Sequence, residues 1–208
     1  MEFLSNPNII FYLAAYLIGG IPFGLILAKM FVGVDIKQSG SRSIGATNVL
    51  RVVKQENPAL AKKLAIATVL LDAFKGVAVL LVAKLSGMPD ATLWAVAVLA
   101  VAGHCFSPYL MFEGGKGVAT GVGVFAFMMP LVTIVALVVW FILGKTLRIS
   151  SLASLGALVA FIIASYIIYP DVPNIHSHAP IWIIAIIVVY KHIPNIIRLL
   201  AGEEKRIA

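Results

Sequence analysis

The stretch VATGVGVFAFMMPLVTIVALVVWFILG, residues 118–144, decides the fold, because it carries no charged residue and only one proline. It is longer than the roughly 20 apolar residues that a helix needs to cross a bilayer. Pro130 has no backbone N–H and cannot continue the hydrogen-bond ladder of a preceding helix. The stretch is therefore either one kinked membrane span or two short spans that meet at Pro130.

The rest of the chain carries apolar stretches of similar length. Of the 208 residues, 61% are hydrophobic and 12% are charged, and the mean hydropathy is +1.03, far from the values of a soluble domain. With a break at Pro130 the predicted spans are 8–31, 62–85, 91–112, 117–129, 130–146, 150–169 and 180–200. We therefore predict an all-α integral membrane protein with seven transmembrane helices, some of them short. A single domain is expected over residues 1–208.

The positions of lysine and arginine decide between six spans and seven. These residues are concentrated in the segments 32–63, 113–117, 145–149 and 198–206. The segments 86–90 and 170–179 contain neither. Because basic residues favour cytoplasmic loops, a break at Pro130 places every basic loop on one side, whereas an unbroken span would place Lys145 opposite Lys116. The charges favour seven spans, with the amino terminus outside and the carboxyl terminus in the cytoplasm.

A first polar cluster, GSRSIGATNVLR at residues 40–51, lies in the longest polar segment. Asn48 and Arg51 are three residues apart, so in a short helix they share one face. The hydroxyl of Ser41 and the guanidinium of Arg51 offer complementary contacts to a phosphate group. The cluster indicates a phosphate site, and the alternative is a surface loop with a serine cap and an exposed arginine.

A second cluster, GGKGVATG at residues 114–121, precedes the decisive apolar stretch. It is not a Walker A loop, because Lys116 lies inside the glycine run and Val118 stands where that loop has Ser or Thr. Glycine lets the backbone approach a ligand closely, and successive amides at a helix start attract an anion. We predict an oxyanion site with Lys116 as countercharge. The alternative is a flexible turn with a snorkelling lysine.

Further polar residues lie within or at the ends of predicted spans. Asp72 and Lys75 are three residues apart inside an apolar span, where charges are costly unless they pair or line a cavity. An internal ion pair and direct contact with a substrate both remain open. His104 stands at the middle of the third predicted span, and it is either structural or part of a site. His192 and Asn195 share a face at the end of the last span.

The sequence disfavours several classes of function. Four histidines and one cysteine show no zinc spacing, and no acidic cluster is suited to calcium or magnesium, so we expect neither a metal nor another cofactor. The net charge of +7 is spread over short loops, so nucleic acid is not an expected partner. The alternative to an enzyme is a transporter or channel for phosphate or a phosphorylated metabolite. A carrier, however, places its site near the membrane midplane, whereas these motifs cluster on one side.

The clusters resemble, in order, the three motifs of a bacterial family. The matching segments are 40–51, 114–121 and 190–199, with connecting signatures at 21–24, 72–76 and 103–108. The family is the acyl-phosphate:glycerol-3-phosphate acyltransferase of the PlsY type, and the resemblance spans nearly the whole chain.

The chain departs from the family pattern in two places. Arg42 and Ser43 occupy positions that are usually Gly and Asn, which puts arginine at a positive-φ position. Pro194 replaces an acidic residue that commonly precedes the asparagine.

The resemblance implies a membrane enzyme of phospholipid synthesis. It would transfer a fatty acyl group from acyl phosphate to the sn-1 hydroxyl of glycerol 3-phosphate, giving lysophosphatidic acid and phosphate without acyl-CoA or acyl carrier protein. The expected partners are glycerol 3-phosphate, a long-chain acyl phosphate, membrane lipid and an enzyme that produces acyl phosphate. The expected location is the bacterial cytoplasmic (inner) membrane, with the active site on the cytoplasmic side.

The site residues expected from the motifs form two sets. The catalytic set is Ser41, Arg51, Lys116, His192 and Asn195. The substrate-binding set is Gly40, Gly45, Thr47, Asn48, Lys75, His104, Gly114, Gly115, Gly117 and Thr120. His192 either acts as general base on the acceptor hydroxyl or orients it while a substrate phosphate takes the proton. No carboxylate is available to orient the imidazole, which favours the second interpretation.

Overall fold

The structure is a computed structural model that describes residues 6–206. Over this range the chain forms nine α-helices and a 3₁₀ turn, and no β-strand. In chain order the elements are α1 (Pro7–Gly20), α2 (Phe23–Val32), α3 (Ala46–Glu56), α4 (Pro58–Leu85), α5 (Asp90–Cys105), the 3₁₀ turn (Pro108–Leu110), α6 (Val118–Met128), α7 (Pro130–Leu147), α8 (Ser150–Ile168) and α9 (Ala179–Leu200). The all-α class predicted from the sequence is confirmed.

The apolar segments correspond to the predicted spans. Within residues 6–206, six are long and apolar enough to cross a membrane: Pro7–Val32, Pro58–Leu85, Asp90–Leu110, Pro130–Leu147, Ser150–Ile168 and Ala179–Leu200. The seventh, Val118–Met128, is apolar but shorter. The predicted break is confirmed, because α6 ends at Met128 and α7 begins with Pro130 at its first turn. Proline is suited to that position because the first amides of a helix have no intrahelical acceptor. The side on which each loop lies stays a prediction.

The first span is broken, whereas the sequence predicted one helix over 8–31. α1 ends at Gly20 and α2 begins at Phe23, with Pro22 outside both helices at φ −90° and ψ 71°. Two backbone carbonyls at the break accept hydrogen bonds from side chains of other helices and loops. The carbonyl of Gly20 accepts from Ser107 Oγ at 2.7 Å, and the carbonyl of Ile21 accepts from Lys75 Nζ at 3.1 Å. The break thus provides acceptors inside the helix bundle.

In the third span the α-helix ends earlier than predicted, although the apolar segment continues to Leu110. The sequence predicted a span over 91–112, but α5 ends at Cys105 and the chain turns at Pro108. A residue before proline disfavours the helical conformation, which accounts for the end of the helix before Ser107. His104, expected at the middle of the span, therefore lies at the carboxyl end of α5.

The chain divides into two compact units, the first ending at Val124 and the second beginning at Phe125. In the first unit, glycines let helix backbones meet closely. A Cβ at Gly19 would overlap the backbone of Ala100, and a Cβ at Gly123 would overlap the backbone of Ala73. Small residues at such contacts are typical of membrane helices. In the second unit the rings of Phe125 and Phe161 stack with centroids 4.0 Å apart. Whether the chain behaves as a single domain stays a prediction.

The amphipathic helix α3 anchors the segment before it to the first unit. Val49, Val52 and Val53, spaced three and four residues apart, are buried with Leu25 of α2 and Ile36 of the preceding loop. This spacing is that of one helix face, and the opposite face is polar. The packing of α3 thereby fixes the position of the polar loop that carries the first motif.

Candidate active site

Asn48 shapes the loop of residues 33–45, called here the Ser41 loop. Its side chain is buried, with 1% exposure, and its Oδ1 accepts the backbone N–H of Ser41 at 2.8 Å. Its Nδ2 donates to the carbonyls of Ile36 at 2.8 Å, Ser43 at 2.9 Å and Ser39 at 3.2 Å. Both ends of the amide are engaged within the loop. Asn48 therefore fixes the shape of the loop, and its predicted contact with a substrate stays a prediction.

The backbone of the Ser41 loop passes through three left-handed positions, at Gly33, Gly40 and Arg42. Gly40 has φ 66°, and a Cβ there would overlap Asn48 Oδ1. Arg42 has φ 57°, so the predicted arginine at a positive-φ position is confirmed. A non-glycine residue in this region carries strain of the order of 1 kcal/mol. Gly45 caps the start of α3, whose amino terminus favours an anion.

The predicted catalytic residues of the first motif are accessible. Ser41 is exposed and Arg51, on the second turn of α3, is partly exposed. Thr47, in the first turn of α3, is exposed as well. A hydroxyl, a guanidinium and a helix amino terminus at one loop form a suitable set of donors for a phosphate. That Ser41, Arg51, Gly40, Gly45 and Thr47 contact substrate stays a prediction.

Residues 114–117, called here the glycine loop, fold tightly against His104. The backbone N–H of Gly115 donates to the carbonyl of His104 at 2.9 Å. A Cβ at Gly114 would overlap that same carbonyl, and a Cβ at Gly115 would overlap the imidazole ring. The space that a side chain would need at Gly114 and Gly115 is thus filled by His104, and contact of these glycines with a substrate stays a prediction. The amide of Gly115 is likewise engaged within the protein.

The start of α6 is the part of this cluster best suited to an anion. Gly117 has φ 82° and directs the chain into α6 at Val118. The first amides of a helix have no intrahelical acceptor, and they attract negative charge. Thr120, in this first turn, is fully buried, and its Oγ1 has no hydrogen-bond partner among the described residues. Since a buried hydroxyl without a partner costs about 1–3 kcal/mol, a ligand at this helix start would relieve that cost. Lys116 is partly exposed next to it.

Asp72, Lys75 and His104 form a buried polar group in the first unit. The ammonium of Lys75 lies 2.9 Å from Asp72 Oδ1, 2.8 Å from His104 Nδ1 and 3.1 Å from the carbonyl of Ile21. All three side chains are at most 3% exposed. The internal ion pair, one of the two interpretations left open by the sequence, is confirmed. Direct contact of Lys75 or His104 with substrate stays a prediction.

The Ser41 loop and the glycine loop lie at the same end of the first unit. Lys37 Nζ pairs at 3.1 Å with Oε2 of Glu113, the residue that immediately precedes the glycine loop. In the Ser41 loop, Asp35 pairs with Lys29 Nζ at 2.9 Å and accepts the backbone N–H of Lys37 at 2.9 Å. The bonds from Lys29 and Lys37 hold the pKa of Asp35 below its ordinary value, so it stays ionised among these lysines. The two predicted phosphate-binding segments are thus brought together.

In the second unit, His192 is oriented by the backbone of its own helix. Its Nδ1 lies 2.8 Å from the carbonyl of Val188, and the side chain is 1% exposed. A carbonyl only accepts, so Nδ1 carries a proton, and in the neutral ring Nε2 is then the acceptor. This tautomer is the one that can take a proton at Nε2. The carbonyl of Val188 therefore orients the imidazole, a role for which the sequence showed no carboxylate.

Glu204 is a residue that the sequence analysis missed. Its carboxylate accepts from Ser151 Oγ at 2.8 Å, from Asn195 Nδ2, and from Arg198 Nε at 2.6 Å. Burial raises the pKa of Glu204, but these three hydrogen bonds outweigh it, so that the pKa lies below its ordinary value. Gly202, at φ 72°, turns the chain back after α9 and makes the contact possible. The sequence feature that could have revealed it is the acidic pair Glu203 and Glu204 in a tail that is otherwise basic.

Comparisons with known proteins agree on one family. A family model described as glycerol-3-phosphate acyltransferase matches residues 9–202. The chain is 66% identical over 207 residues to the glycerol-3-phosphate acyltransferase of Sulfurimonas denitrificans, and 61% identical over 208 residues to that of Nitratiruptor sp., with 100% of both chains covered in each case. Among solved structures it is similar to the crystal structure of PlsY (YgiH), an integral membrane glycerol 3-phosphate acyltransferase, in its glycerol 3-phosphate form. The TM-score is 0.86 at 33% identity, over 98% of this chain and 96% of that chain. The lysophosphatidic acid form gives a TM-score of 0.83 at 32% identity, over 97% of this chain and 95% of that chain.

Proposed function

Because the chain belongs to the glycerol-3-phosphate acyltransferase family, we propose that it takes its acyl group from a fatty acyl phosphate and delivers it to the sn-1 hydroxyl of glycerol 3-phosphate. The products are lysophosphatidic acid and inorganic phosphate. Its similarity to one solved protein, described in a glycerol 3-phosphate form and in a lysophosphatidic acid form, supports this acceptor and product. The family membership does not favour the transporter considered from the sequence.

The observation that carries the proposal is the pairing of two phosphate-type segments at one end of the first unit. Lys37 of the Ser41 loop pairs with Glu113, the residue immediately before the glycine loop, and each of these loops leads into a helix amino terminus. An acyl phosphate and glycerol 3-phosphate are both anions, so a site that brings them together must offset their repulsion. Two neighbouring helix starts with nearby lysine and arginine side chains are suited to that task.

We assign one reactant to each segment. Arg51 and Ser41, with the start of α3, hold the phosphate of the acyl donor. Lys116, with the start of α6, holds the phosphate of glycerol 3-phosphate. The hydroxyl of Thr120, which has no partner within residues 6–206, donates to it. The second assignment follows the motif that the glycine loop resembles. Gly117, at positive φ, supplies the turn that aims these amides at the ligand.

The reaction needs no covalent enzyme intermediate. The sn-1 oxygen attacks the acyl carbonyl carbon and forms the new ester bond. The bond from this carbon to the phosphate oxygen then breaks, and phosphate leaves with the electron pair. Phosphate is a good leaving group in this mixed anhydride, so positioning and charge stabilisation supply the catalysis.

The proton of the sn-1 hydroxyl goes to a phosphate oxygen of a substrate in this proposal. His192 accepts at Nε2 and orients the hydroxyl, and Asn195, three residues later on the same helix face, assists. The carbonyl of Val188 fixes the ring but stabilises an imidazolium less than a carboxylate would. A doubly charged phosphate is therefore the better final acceptor of the proton.

The location follows from the basic loops. The chain is a multi-pass membrane protein with long apolar helices. We propose that both phosphate-binding segments face the cytoplasm at the inner membrane, because Lys and Arg favour that side. The acyl tail then lies in lipid or among the helices, which is the physical reason for building this enzyme in a membrane.

A donor competition tests the proposal. The purified protein in detergent receives glycerol 3-phosphate with either palmitoyl phosphate or palmitoyl-CoA, in the presence of a chelator, and lysophosphatidic acid is measured by mass spectrometry. We expect product from palmitoyl phosphate alone, with one phosphate released for each ester formed. Product from palmitoyl-CoA at a similar rate, or acylation at the second hydroxyl, would overturn the proposed donor or regiochemistry.

A further inference from the structure

The buried ammonium of Lys75 fixes the protonation of His104. An ammonium carries three protons and no lone pair, so each of its close polar contacts is a donated hydrogen bond. Lys75 has three such contacts, to Asp72 Oδ1, to the carbonyl of Ile21 and to His104 Nδ1. All three protons are thereby used, and Nδ1 of His104 has to be an acceptor. The imidazole is neutral, with its proton on Nε2.

The opposite edge of the His104 ring faces the glycine loop. The position that a Cβ of Gly115 would take lies against Nε2, Cε1 and Cδ2 of this ring. The backbone carbonyl of His104 accepts the N–H of Gly115 at 2.9 Å. The same carbonyl lies where a Cβ of Gly114 would be. His104 therefore holds this end of the loop by its backbone and by its ring.

A chain of direct contacts thus runs from the broken first span to the glycine loop. It passes from the carbonyl of Ile21 to Lys75, from Lys75 to Nδ1 of His104, and from the far edge of the ring to Gly115. Asp72 balances the charge of the ammonium at 2.9 Å. The group has one carboxylate and one ammonium, so adding a second proton to His104 would place two cations in contact inside the membrane region.

We propose that His104 is a positioning residue, which sets the place of the glycine loop and thereby the affinity for glycerol 3-phosphate. Lys75 and Asp72 hold the ring in the one tautomer and orientation that fit the loop. Neither His104 nor Lys75 contacts the substrate in this proposal. It rests on the proposed function in one respect, that the glycine loop binds the phosphate of glycerol 3-phosphate.

Two substitutions test separately the two edges of the His104 ring, one facing Lys75 and the other facing Gly115. In His104→Asn the amide oxygen stands where Nδ1 was, so Lys75 keeps its acceptor while the edge facing Gly115 is lost. In His104→Gln the amide reaches toward Gly115, but the acceptor for Lys75 is lost. We expect the Kd for glycerol 3-phosphate, measured by titration calorimetry without acyl donor, to rise roughly tenfold in His104→Asn, because Gly115 loses the ring edge that packs against it. We expect it to change less than about threefold in His104→Gln.

We expect thermal stability to show the opposite order, with the larger loss in His104→Gln. The midpoint of thermal unfolding is expected to fall by about 4 °C in His104→Gln, and to stay within about 2 °C of wild type in His104→Asn. Hydrogen–deuterium exchange at peptides covering residues 114–117 is expected to speed up roughly tenfold in His104→Asn. Thr68→Val is the matched control, because Thr68 is buried in the same helix as Lys75 and its hydroxyl donates to the carbonyl of Leu64 at 2.7 Å, within its own helix.

The outcomes separate this proposal from the proposed function. An unchanged Kd and unchanged exchange in His104→Asn would overturn the positioning role, as would a fall in affinity that follows the unfolding midpoint in both variants. Exchange at residues 114–117 is measured without any substrate, so it tests the contact of His104 with the loop even if the donor assignment fails. A wild-type protein that binds glycerol 3-phosphate but makes no lysophosphatidic acid from acyl phosphate contradicts the proposed donor alone.

Discussion

The side-chain oxygen of Asn48 accepts the backbone N–H of Ser41 at 2.8 Å, across seven residues of chain. The amide nitrogen of the same side chain holds the carbonyls of Ile36, Ser39 and Ser43. One buried residue therefore keeps together a loop that has no regular secondary structure. Asn48 thereby fixes the backbone at Ser41, whose hydroxyl belongs to the predicted site.

Asn48→Asp keeps the size of the side chain and its acceptor oxygen but removes the donor. A carboxylate would then face three backbone carbonyls, and these acceptors would lose their partner in a buried place. We expect kcat/KM to fall at least 100-fold, with a loss of about 3 kcal/mol in the free energy of unfolding. Enzyme assays and denaturant unfolding measure the two effects.

Asn57→Asp is the control for this substitution. Asn57 caps α4 by accepting the N–H of Leu60 at 3.2 Å, and an aspartate can accept the same hydrogen bond. We expect this variant to match wild type in both assays. A fully active Asn48→Asp protein would show that the Ser41 loop does not depend on the amide.

Gly115→Ala places a methyl group on the imidazole of His104. The loop or the ring has to move, and the amides at the start of α6 move with the loop. We expect KM for glycerol 3-phosphate to rise roughly tenfold or more, with a smaller fall in kcat, because binding is displaced while the chemistry is retained. Steady-state kinetics over a range of glycerol 3-phosphate concentrations measure the two constants.

Gly144→Ala serves as its control. Gly144 lies inside α7, and a Cβ there would meet only the Cβ of Ala153, at an ordinary 3.9 Å. We expect unchanged kinetics and a slight gain in stability, because alanine is favoured over glycine within a helix. An unaltered response of Gly115→Ala to glycerol 3-phosphate would remove the glycine loop from the acceptor site.

His192→Gln tests which group takes the proton of the sn-1 hydroxyl. Loss of a true general base costs roughly 100- to 10,000-fold in rate, whereas loss of an orienting group costs less. Because we assign the proton to a substrate phosphate, we expect kcat to fall no more than about tenfold, with the shape of the pH–rate profile retained. A larger fall, together with loss of the acidic limb of that profile, would make His192 the base.

Glu204→Gln tests the fold-back of the carboxyl-terminal tail. The pKa of Glu204 lies below its ordinary value in the folded protein, so its stabilising effect is present above the ordinary pKa and is lost as the pH falls through the lowered one. We expect the substitution to cost about 2 kcal/mol near neutral pH. The difference from wild type should shrink progressively as thermal unfolding is measured in more acidic buffers.

Glu203→Gln is the matched control, because Glu203 is its exposed neighbour. We expect this change to leave the unfolding midpoint within about 1 °C at every pH. If the stability gap between wild type and Glu204→Gln were the same in acidic and neutral buffers, the ionised carboxylate would not be the source of the stabilisation.

Local chemistry explains what the sequence could predict. The break at Pro130 follows from a missing backbone donor, and the left-handed Arg42 follows from a departure at a position that is usually glycine. The pairing of Asp72 with Lys75 follows from their spacing and from the cost of a lone charge in lipid. In each case a few neighbouring residues contain the whole reason.

What the sequence could not predict depends on partners that are distant in the chain. Pro22 could have kinked a continuous helix, and nothing local showed that Ser107 and Lys75 would take up the carbonyls released there. The four hydrogen bonds by which Asn48 holds the Ser41 loop are likewise not recognisable from composition. Glu204 acts across 53 residues on Ser151, a contact that only the folded chain reveals.

Proline breaks in membrane helices are commonly regarded as hinges. In the first span, the two carbonyls at the break are held from different directions, by a hydroxyl beyond α5 and by an ammonium on α4. Flexing at Pro22 would stretch both of these hydrogen bonds, and leaving a buried carbonyl without its donor is costly. We therefore expect the break at Pro22 to be rigid, so that thermal bending of this span is as small as in a helix without proline.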